Sequence, residues 1–363
     1  MKLQVTQENL NRALSAVARV ANSRGTLPIL ANVLIKTANN RLSISATNLD
    51  IAITYFIGSK ISQEGSITAP ARLMQDYIAS LPNSVINLEL NETKLNIKTD
   101  QYNSVVNGII ADDFPVMPAI SDGTKWSVST QIFKKALQQV AFAASNDESR
   151  PVLTGIFIHS SNGKLYIAAT DSYRLAEKDM GDNKNEISIL VPASAMQDLL
   201  RVLGDDDSQI EITHNDQQAL FKTGDVELVT RLIDGQYPDY QKLIPSSFTN
   251  QATLKKADLV SVAKVSSLFA RESAGSVTIE LNKDQNQLQI KSIASQLGEN
   301  TATADAKIKG GESITLNSKF LIDALGVIDG ENVTFGFNGK LEPTILYSPD
   351  NKDYKHIIMP LKS

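Results

Sequence analysis

Few side chains in this chain have the type and spacing for catalysis. His159, His214 and His356 are its only histidines, each alone in a strand-like stretch. None has a second ligand at metal spacing, so each reads as a structural or surface residue. Asp112-Asp113 and Asp205–Asp207 could offer oxygens to a hard cation, but no neighbouring residue completes the ligand set. Asn162-Gly163-Lys164 and Asn338-Gly339-Lys340 resemble fragments of phosphate loops, yet the upstream glycine is missing and both read better as hairpin tips. There is no GxSxG elbow, P-loop or GxGxxG, and no cysteine to supply a thiolate or a disulfide. The parts of an enzyme are absent, and no metal or cofactor is expected.

Cations form the more orderly pattern. Arg12, Arg19, Arg24, Arg72, Lys134, Lys135, Arg201, Lys255, Lys256, Lys264 and Lys319 fall on expected helices or the turns at their ends. They outnumber the carboxylates there, Glu8, Asp76, Asp198, Asp258 and Asp323. Taken alone they make a solvated face. If a repeated unit brought them to one side, they could hold a phosphate backbone without reading its sequence, even in a chain of net charge −5.

Such a repeat exists. KLYIAATDSYRLA at Lys164–Ala176 echoes RLSISATNLDIAI at Arg41–Ile53, with Thr47 and Thr170 lying 123 residues apart. A fainter echo, QLQIKSIASQLGE, occupies Gln287–Glu299. ITAPARLMQDYIASL (Ile67–Leu81), ILVPASAMQDLLRVL (Ile189–Leu203) and ITLNSKFLIDALGVI (Ile314–Ile328) follow one another at 122 and 125 residues. Asp113-Phe114-Pro115 matches Gln236-Tyr237-Pro238 at 123. Independent landmarks sharing one period mean three copies of a domain-sized unit, which suits a length of 363 residues.

The units must position those residues. Unit one opens with a helix over Val5–Ala21 behind Thr6 as cap. An extended run begins at Pro28, and Asn39-Asn40 turns into a strand at Leu42–Ala46. Ile51–Ile57 is a strand, Ala71–Leu81 a helix, and Val85–Leu90, Lys94–Thr99 and Tyr102–Ile109 are three further strands. Phe114–Gly123 and Tyr237–Phe248 are linkers. Unit two carries a helix with Phe133, Leu137, Val140 and Ala141 on one face, a type I′ turn at Asn162-Gly163, and a helix over Ala193–Leu203. Unit three carries helices near Lys256–Ala270 and over Ser318–Val327. Several antiparallel strands per helix make the class α+β. Hydrophobic residues at 42% and charged at 21% are ordinary for a soluble protein. No apolar run is long enough to span a membrane, no signal-peptide core is visible, and a cytoplasmic address is expected.

Along the triplicated chain, TLPIL (Thr26–Leu30), Pro70-Ala71-Arg72, ATDSYRLA (Ala169–Ala176), DGQYPDY (Asp234–Tyr240) and IIMPL (Ile357–Leu361) resemble the bacterial DNA polymerase III beta subunit family, the sliding clamps. The likeness covers essentially the whole chain in the right order. It implies three repeated clamp-type domains at residues 1–120, 126–245 and 250–363, each with two helices inside and antiparallel sheets outside. It also implies a head-to-tail homodimer closed as a ring around duplex DNA. The function implied is that of a DNA sliding clamp (processivity factor), not an enzyme. Its partners would be the replicative DNA polymerase, a clamp loader that hydrolyses the ATP, and other proteins bearing a clamp-binding motif.

The resemblance also carries sites. A pocket for a partner's extended apolar motif would take Arg150, Leu153, Thr170, Ser172, Tyr173, Arg174 and Leu175 from the second domain. Pro238, Lys242 and Leu243 would come from the linker, and Asn317, Phe320, Leu341, Ile357, Ile358, Met359, Pro360 and Leu361 from the third domain. The sequence departs from the frequent family pattern with Tyr173 for histidine, Lys242 for arginine, Phe320 for tyrosine and Pro343 for serine. Arg24 and Arg72 match DNA-side positions, whereas Ala193-Ser194 stand where basic residues sometimes occur. Leu268-Phe269 would meet the strand bearing Ser104 and Val106 across the dimer interface. The rival reading is a repeat-built protein-interaction scaffold without a DNA role, sharing fold and pocket but not the inner charge.

Overall fold

A computed structural model describes the chain except residues 22–26, 39–40, 116–119, 121, 205–207, 295–297 and 363. Arg24, the Asn39-Asn40 turn and Asp205–Asp207 therefore lie outside the described residues. The described chain parts into two compact units, Met1–Lys134 with Ser194–Leu232, and Lys135–Ala193 with Ile233–Ser363.

Six α-helices occur among the described residues: α1 (Gln7–Val17), α2 (Ala71–Ser80), α3 (Thr130–Val140), α4 (Ala193–Val202), α5 (Lys256–Phe269) and α6 (Ser318–Val327). Thr6 caps α1 by accepting from the Asn9 amide at 3.4 Å, and Leu10, Ala13, Leu14 and Val17 line its buried face. The sequence reading opened this helix at Val5. Instead Leu3 and Val5 alternate inward in a strand, Lys2–Thr6, paired with Val85–Asn91 and Lys60–Gln63. Those pairings are non-local, and a local pattern does not carry them. The extended run expected at Pro28 is a 3-10 turn, Pro28–Ala31, because proline's fixed φ suits a first helical position. Pro151–Thr154 repeats that turn 123 residues on.

The triplication extends to single hydrogen bonds. The first amide of each opening helix donates to a carbonyl just ahead of a later strand: Gln7 to Ser84 at 2.9 Å, Thr130 to Ser208 at 2.9 Å, Lys256 to Glu331 at 2.8 Å. A nearby side chain then satisfies a carbonyl at the end of the second helix. Gln7 Nε2 donates to Ile78 at 2.8 Å, Lys134 Nζ to Leu203 at 3.1 Å, and Lys256 Nζ to Ile328 at 2.7 Å. Several of the cations singled out in the sequence are thus engaged locally. Lys134 and Lys256 serve helix ends, while Arg12, Lys135 and Arg201 pair with Glu8, Asp329 and Asp198.

The strands form four antiparallel sheets. In the first unit a five-stranded sheet runs from Lys60–Gln63 at one edge to Asn103–Asn107 at the other, and an eight-stranded sheet joins repeat one to repeat two. That junction pairs Ile51–Gly58 with Val226–Arg231, Ile53 opposite Leu228. In the second unit a nine-stranded sheet joins repeat two to repeat three through Arg174–Asp182 and Tyr354–Ile358, Leu175 opposite Ile357. A four-stranded sheet there ends at the edge strand Gly298–Asp305. Asn162 and Gly163 both take positive φ, as the expected type I′ turn requires.

Large side chains fill each core: Phe133 stacks on Phe221 with centroids 6.1 Å apart, and Phe335 lies 5.7 Å from Phe337. Truncating one to alanine would cost on the order of 3–5 kcal/mol. Two of the histidines pack into the second unit. His159 Nε2 lies 2.7 Å from Tyr240 Oη, and His356 is fully buried, stacked on Phe142, with Nδ1 3.0 Å from Tyr354 Oη. Burial pushes the His356 imidazole down to about 3, with the nearby Arg174 charge adding to the effect. The unfolded chain binds this proton near pH 6.5 and the folded chain does not. Stability is therefore expected to be intact above pH 6.5 and to fall below it, by about 1.4 kcal/mol per pH unit for this group. Urea midpoints of wild type and His356→Asn between pH 7.5 and 5 check this. The variant should show the shallower decline, and equal slopes would refute it.

Candidate partner-binding site

The second unit contains every described residue assigned to the partner pocket. Its centre is the turn Thr170–Arg174, closed by its own side chains. Asp171 Oδ1 accepts from the amides of Tyr173 and Arg174, both at 2.9 Å. Thr170 Oγ1 donates to the Arg174 carbonyl at 2.6 Å and accepts from the Ser172 amide at 3.1 Å. Ser172 sits at φ 78°. Local bonds of this kind are what Thr and Asp offer at turns. The turn lifts Tyr173 into solvent, 60% exposed.

Arg174 holds this turn to the rest of the unit. Its guanidinium donates to Asp171 Oδ2 at 3.1 Å, Asp323 Oδ2 at 2.7 Å and the Phe142 carbonyl at 2.7 Å. It also lies 5.2 Å from the Phe142 ring centroid and 4.7 Å from that of Phe320. Only 11% of the side chain is exposed, so Arg174 is a positioning residue and not an open anchor. Phe142 and Asp323 were not assigned to the site by sequence. They lie 32 and 149 residues from Arg174, and no local pattern marks them.

The tail adds the next wall. From Ile358, paired opposite Arg174, the chain runs on so that the Met359 amide donates to the Tyr173 carbonyl at 2.8 Å. The Leu361 amide donates to Thr315 at 2.9 Å. Met359, Pro360 and Leu361 remain partly exposed. From the linker come exposed Pro238, Leu243 at 48% exposure, and Lys242, which pairs with Asp239 at 2.6 Å. That carboxylate raises the Lys242 pKa and keeps the lysine charged. Arg150 Nη1 reaches Ser172 Oγ at 3.0 Å and its Nε reaches Asp147 at 3.3 Å. Bonds from the Ser149 hydroxyl and amide hold the Asp147 carboxyl below its ordinary range. Leu341 is 68% exposed.

Other assigned residues are support and not wall. Leu175 and Ile357, each 2% exposed, belong to a buried cluster with Ala168, Leu190, Tyr237, Tyr240 and Ile345. Leu153 and Ile358 are core, and Thr170 is spent inside the turn. Asn317 caps α6 by accepting from the Lys319 amide at 2.9 Å. Register explains the two isoleucines: one side of their strand packs under the linker and the other on the opposite face, so neither is left open. Of the interface residues, Val106 points inward at 6% exposure while its neighbour Val105 is 55% exposed. Ser104 is partly exposed, Leu268 is 53% exposed and Phe269 half-buried. Arg72 is exposed on α2, with no ion pair among the described residues.

What the assigned residues offer chemically is apolar side chains open to a partner, Leu243 and Leu341 exposed and Met359 and Leu361 partly so. The turn and tail contribute polar groups, and no nucleophile or general base faces them. Among the described residues no cluster of His, Cys, Asp and Glu could hold a metal ion. Among the described residues no helix is long and apolar enough to cross a membrane.

Three family models match the chain end to end: the DNA polymerase III beta subunit N-terminal domain at residues 1–118, central domain at 127–239 and C-terminal domain at 241–362. The beta sliding clamp of a Synechocystis species is 30% identical over 388 residues, covering 100% of this chain and 99% of that protein. The solved sliding clamp of Bacillus subtilis superposes with TM-score 0.94 at 27% identity, over 100% of this chain and 99% of that one. The Pseudomonas aeruginosa clamp solved bound to griselimycin gives TM-score 0.95 at 25% identity, with both chains covered completely. This chain belongs to the bacterial DNA polymerase III beta subunit family, the beta sliding clamps.

Proposed function

We propose that this clamp is a head-to-tail homodimer that closes around duplex DNA, catalyses nothing itself, and tethers the replicative DNA polymerase through the Tyr173–tail surface. Its domains are residues 1–120, 126–245 and 250–363. It acts in the cytoplasm, is opened by a clamp loader and is shared with other motif-bearing proteins. The observation that carries this reading is a match between used and unused strand edges. Within the chain, Val226–Arg231 pairs with Ile51–Gly58, and Tyr354–Ile358 with Arg174–Asp182. By the repeat, Asn103–Asn107 corresponds to the first member of those pairs and Gly298–Asp305 to the second, and both are sheet edges. A free edge invites a partner strand. A second copy supplies the missing one at each end, and a head-to-tail contact whose rotation closes makes a ring. A scaffold without DNA would have no use for closure.

The deciding experiment is retention on DNA after loader-dependent loading. A linked ring stays on a closed circle and runs off once the circle is cut, whereas a conventional binder is indifferent to cutting. Equal retention on both would sink the reading.

Three measurements follow from the site assignments. Leu268→Ala should weaken the dimer by roughly 2–4 kcal/mol if that side chain is an interface hot spot. A concentration-independent monomer for wild type in sedimentation would remove the ring. Direct affinity for duplex DNA without a loader should be weak and fall steeply with salt. Arg24 and Arg72, both replaced by alanine, should lower retention alike on unrelated sequences. A dependence on base sequence would contradict sliding.

For the partner surface, a peptide with glutamine, leucine and an aromatic residue is expected to bind at about micromolar affinity, near −8 kcal/mol. Deleting Met359–Ser363 should remove most of that binding and leave the dimer intact, since Ile357 and Ile358 stay in the core. Leu243→Asp should do the same, as a charge set in an apolar wall. Leu175 is the wrong site for that test because it is buried core. Titration calorimetry showing full affinity for the truncated chain would move the site elsewhere. Griselimycin, which the P. aeruginosa relative holds, is a competitor to include.

A further inference from the structure

The nine-stranded sheet carries a second concavity. Tyr166, Glu177, Lys355 and Tyr347 stand on four strands that are successive neighbours in that sheet, and the pairing of Glu177 opposite Lys355 puts them on one face. The segment 241–248 runs over this face, and its Ile244, Pro245 and Phe248 close the far side of a cleft of about 490 Å3. That volume lies within the range of small-ligand sites and holds two or three side chains. Ile345 lines the cleft and also belongs to the buried cluster of Leu175 and Ile357, so the cleft shares the core that lies beneath the Thr170–Arg174 turn.

Its charge is unbalanced. Glu177 is 3% exposed and paired with Lys355 at 3.2 Å. Lys352 stands over the Tyr347 ring, 6.0 Å from its centroid, and no described carboxylate pairs with it. Two ammonium groups against one carboxylate leave one positive charge above an aromatic and aliphatic floor. The complement is an aromatic ring with a single carboxylate close by. The ring would settle against Phe248, Ile244 and Ile345, and the carboxylate would reach Lys352 at the rim, giving a charge-assisted bond.

We propose that this cleft is a peptide subsite taking an aromatic residue followed by an acidic one, separate from the Tyr173–tail surface. The partner is a protein segment of that chemistry, lying beside the apolar motif in a longer bound peptide.

The test uses the full chain with isoleucine δ1-methyl labels and acetyl-Phe-Glu-amide as probe. Ile244 and Ile345 methyl signals should shift and saturate. Acetyl-Phe-Gln-amide should bind about three- to fivefold more weakly, the scale of one exposed charge pair. Lys352→Glu should abolish the preference for the acidic probe, and this exposed position puts no buried contact at risk. Unmoved methyls, or equal binding of acidic and neutral probes, would overturn the proposal. Deleting Met359–Ser363 should leave probe binding unchanged, since no tail residue lines the cleft. Dependence on the tail would mean the probe has entered the neighbouring surface, and would equally overturn it. Loss of the glutamine-containing peptide with the dipeptide probe retained would count against the partner-site reading alone.

Discussion

Main-chain pairing across the repeat boundaries is the constraint on which the rest of this clamp depends. Each repeat ends two of its strands with unpaired amides and carbonyls, and an unpaired buried backbone group costs as much as a lost hydrogen bond. Ile51–Gly58 against Val226–Arg231 and Arg174–Asp182 against Tyr354–Ile358 satisfy those groups within the chain. The register cannot slip. Ile53 and Leu228 are fully buried opposite one another, and a shift of one residue would turn both to the other face. Once Arg174 is fixed opposite Ile358, the turn before Arg174 and the tail after Ile358 must emerge side by side. The candidate partner surface is a by-product of that junction.

The two junctions share a backbone and differ in chemistry. Thr47–Ile51 closes as Thr170–Arg174 does: Thr47 Oγ1 donates to Ile51 at 3.0 Å, Asn48 Oδ1 accepts from Ile51 at 2.8 Å, and Leu49 takes φ 79°. The Arg231 amide even donates to the Asp50 carbonyl at 2.9 Å, matching Met359 and Tyr173. Yet Asp50 stands where Tyr173 does, Ile51 where Arg174 does and Arg231 where Met359 does. The first junction thus lacks both the apolar edge and the arginine between two rings. An arginine so placed needs its carboxylates, since breaking a buried pair costs about 3–5 kcal/mol. Asp171 and Asp323 are both present. The candidate site lies where the second repeat departs from the pattern of the first.

That contrast explains what could be read in the sequence. The threefold period, four of the six helices to within two residues, and the hairpin at Asn162-Gly163 are local patterns, and local patterns survive in a linear string. Strand Lys2–Thr6 and the 3-10 turns at Pro28 and Pro151 depend on distant neighbours and were misread or missed. The site divides in the same way. Its residues are assigned by position, and position does not say which of them are exposed. Leu175 and Ile357 are core, Asn317 is a helix cap, and Arg174 is a strut whose partners Phe142 and Asp323 had no marker of their own. A motif names positions, whereas exposure is decided by what packs from elsewhere in the chain.

The same reasoning bears on how a clamp of net charge −5 can hold DNA. Each phosphate contact steepens the salt dependence of binding and deepens the well that a sliding protein must leave. Cations bonded to helix ends, such as Lys134 and Lys256, or paired with local carboxylates, such as Arg12, Lys135 and Arg201, must share or exchange those partners to contact a phosphate. For a conventional binder this would be a defect. For a closed ring it is a requirement, because linkage supplies retention and affinity would only supply friction. Lys134 and Lys256 can therefore take structural work in the second and third repeats without loss. Gln7, uncharged, does the equivalent work in the first. Gln7 and Lys256 open their helices and Lys134 lies four residues into its own, so what recurs is a donor reaching a helix end and not one charged position.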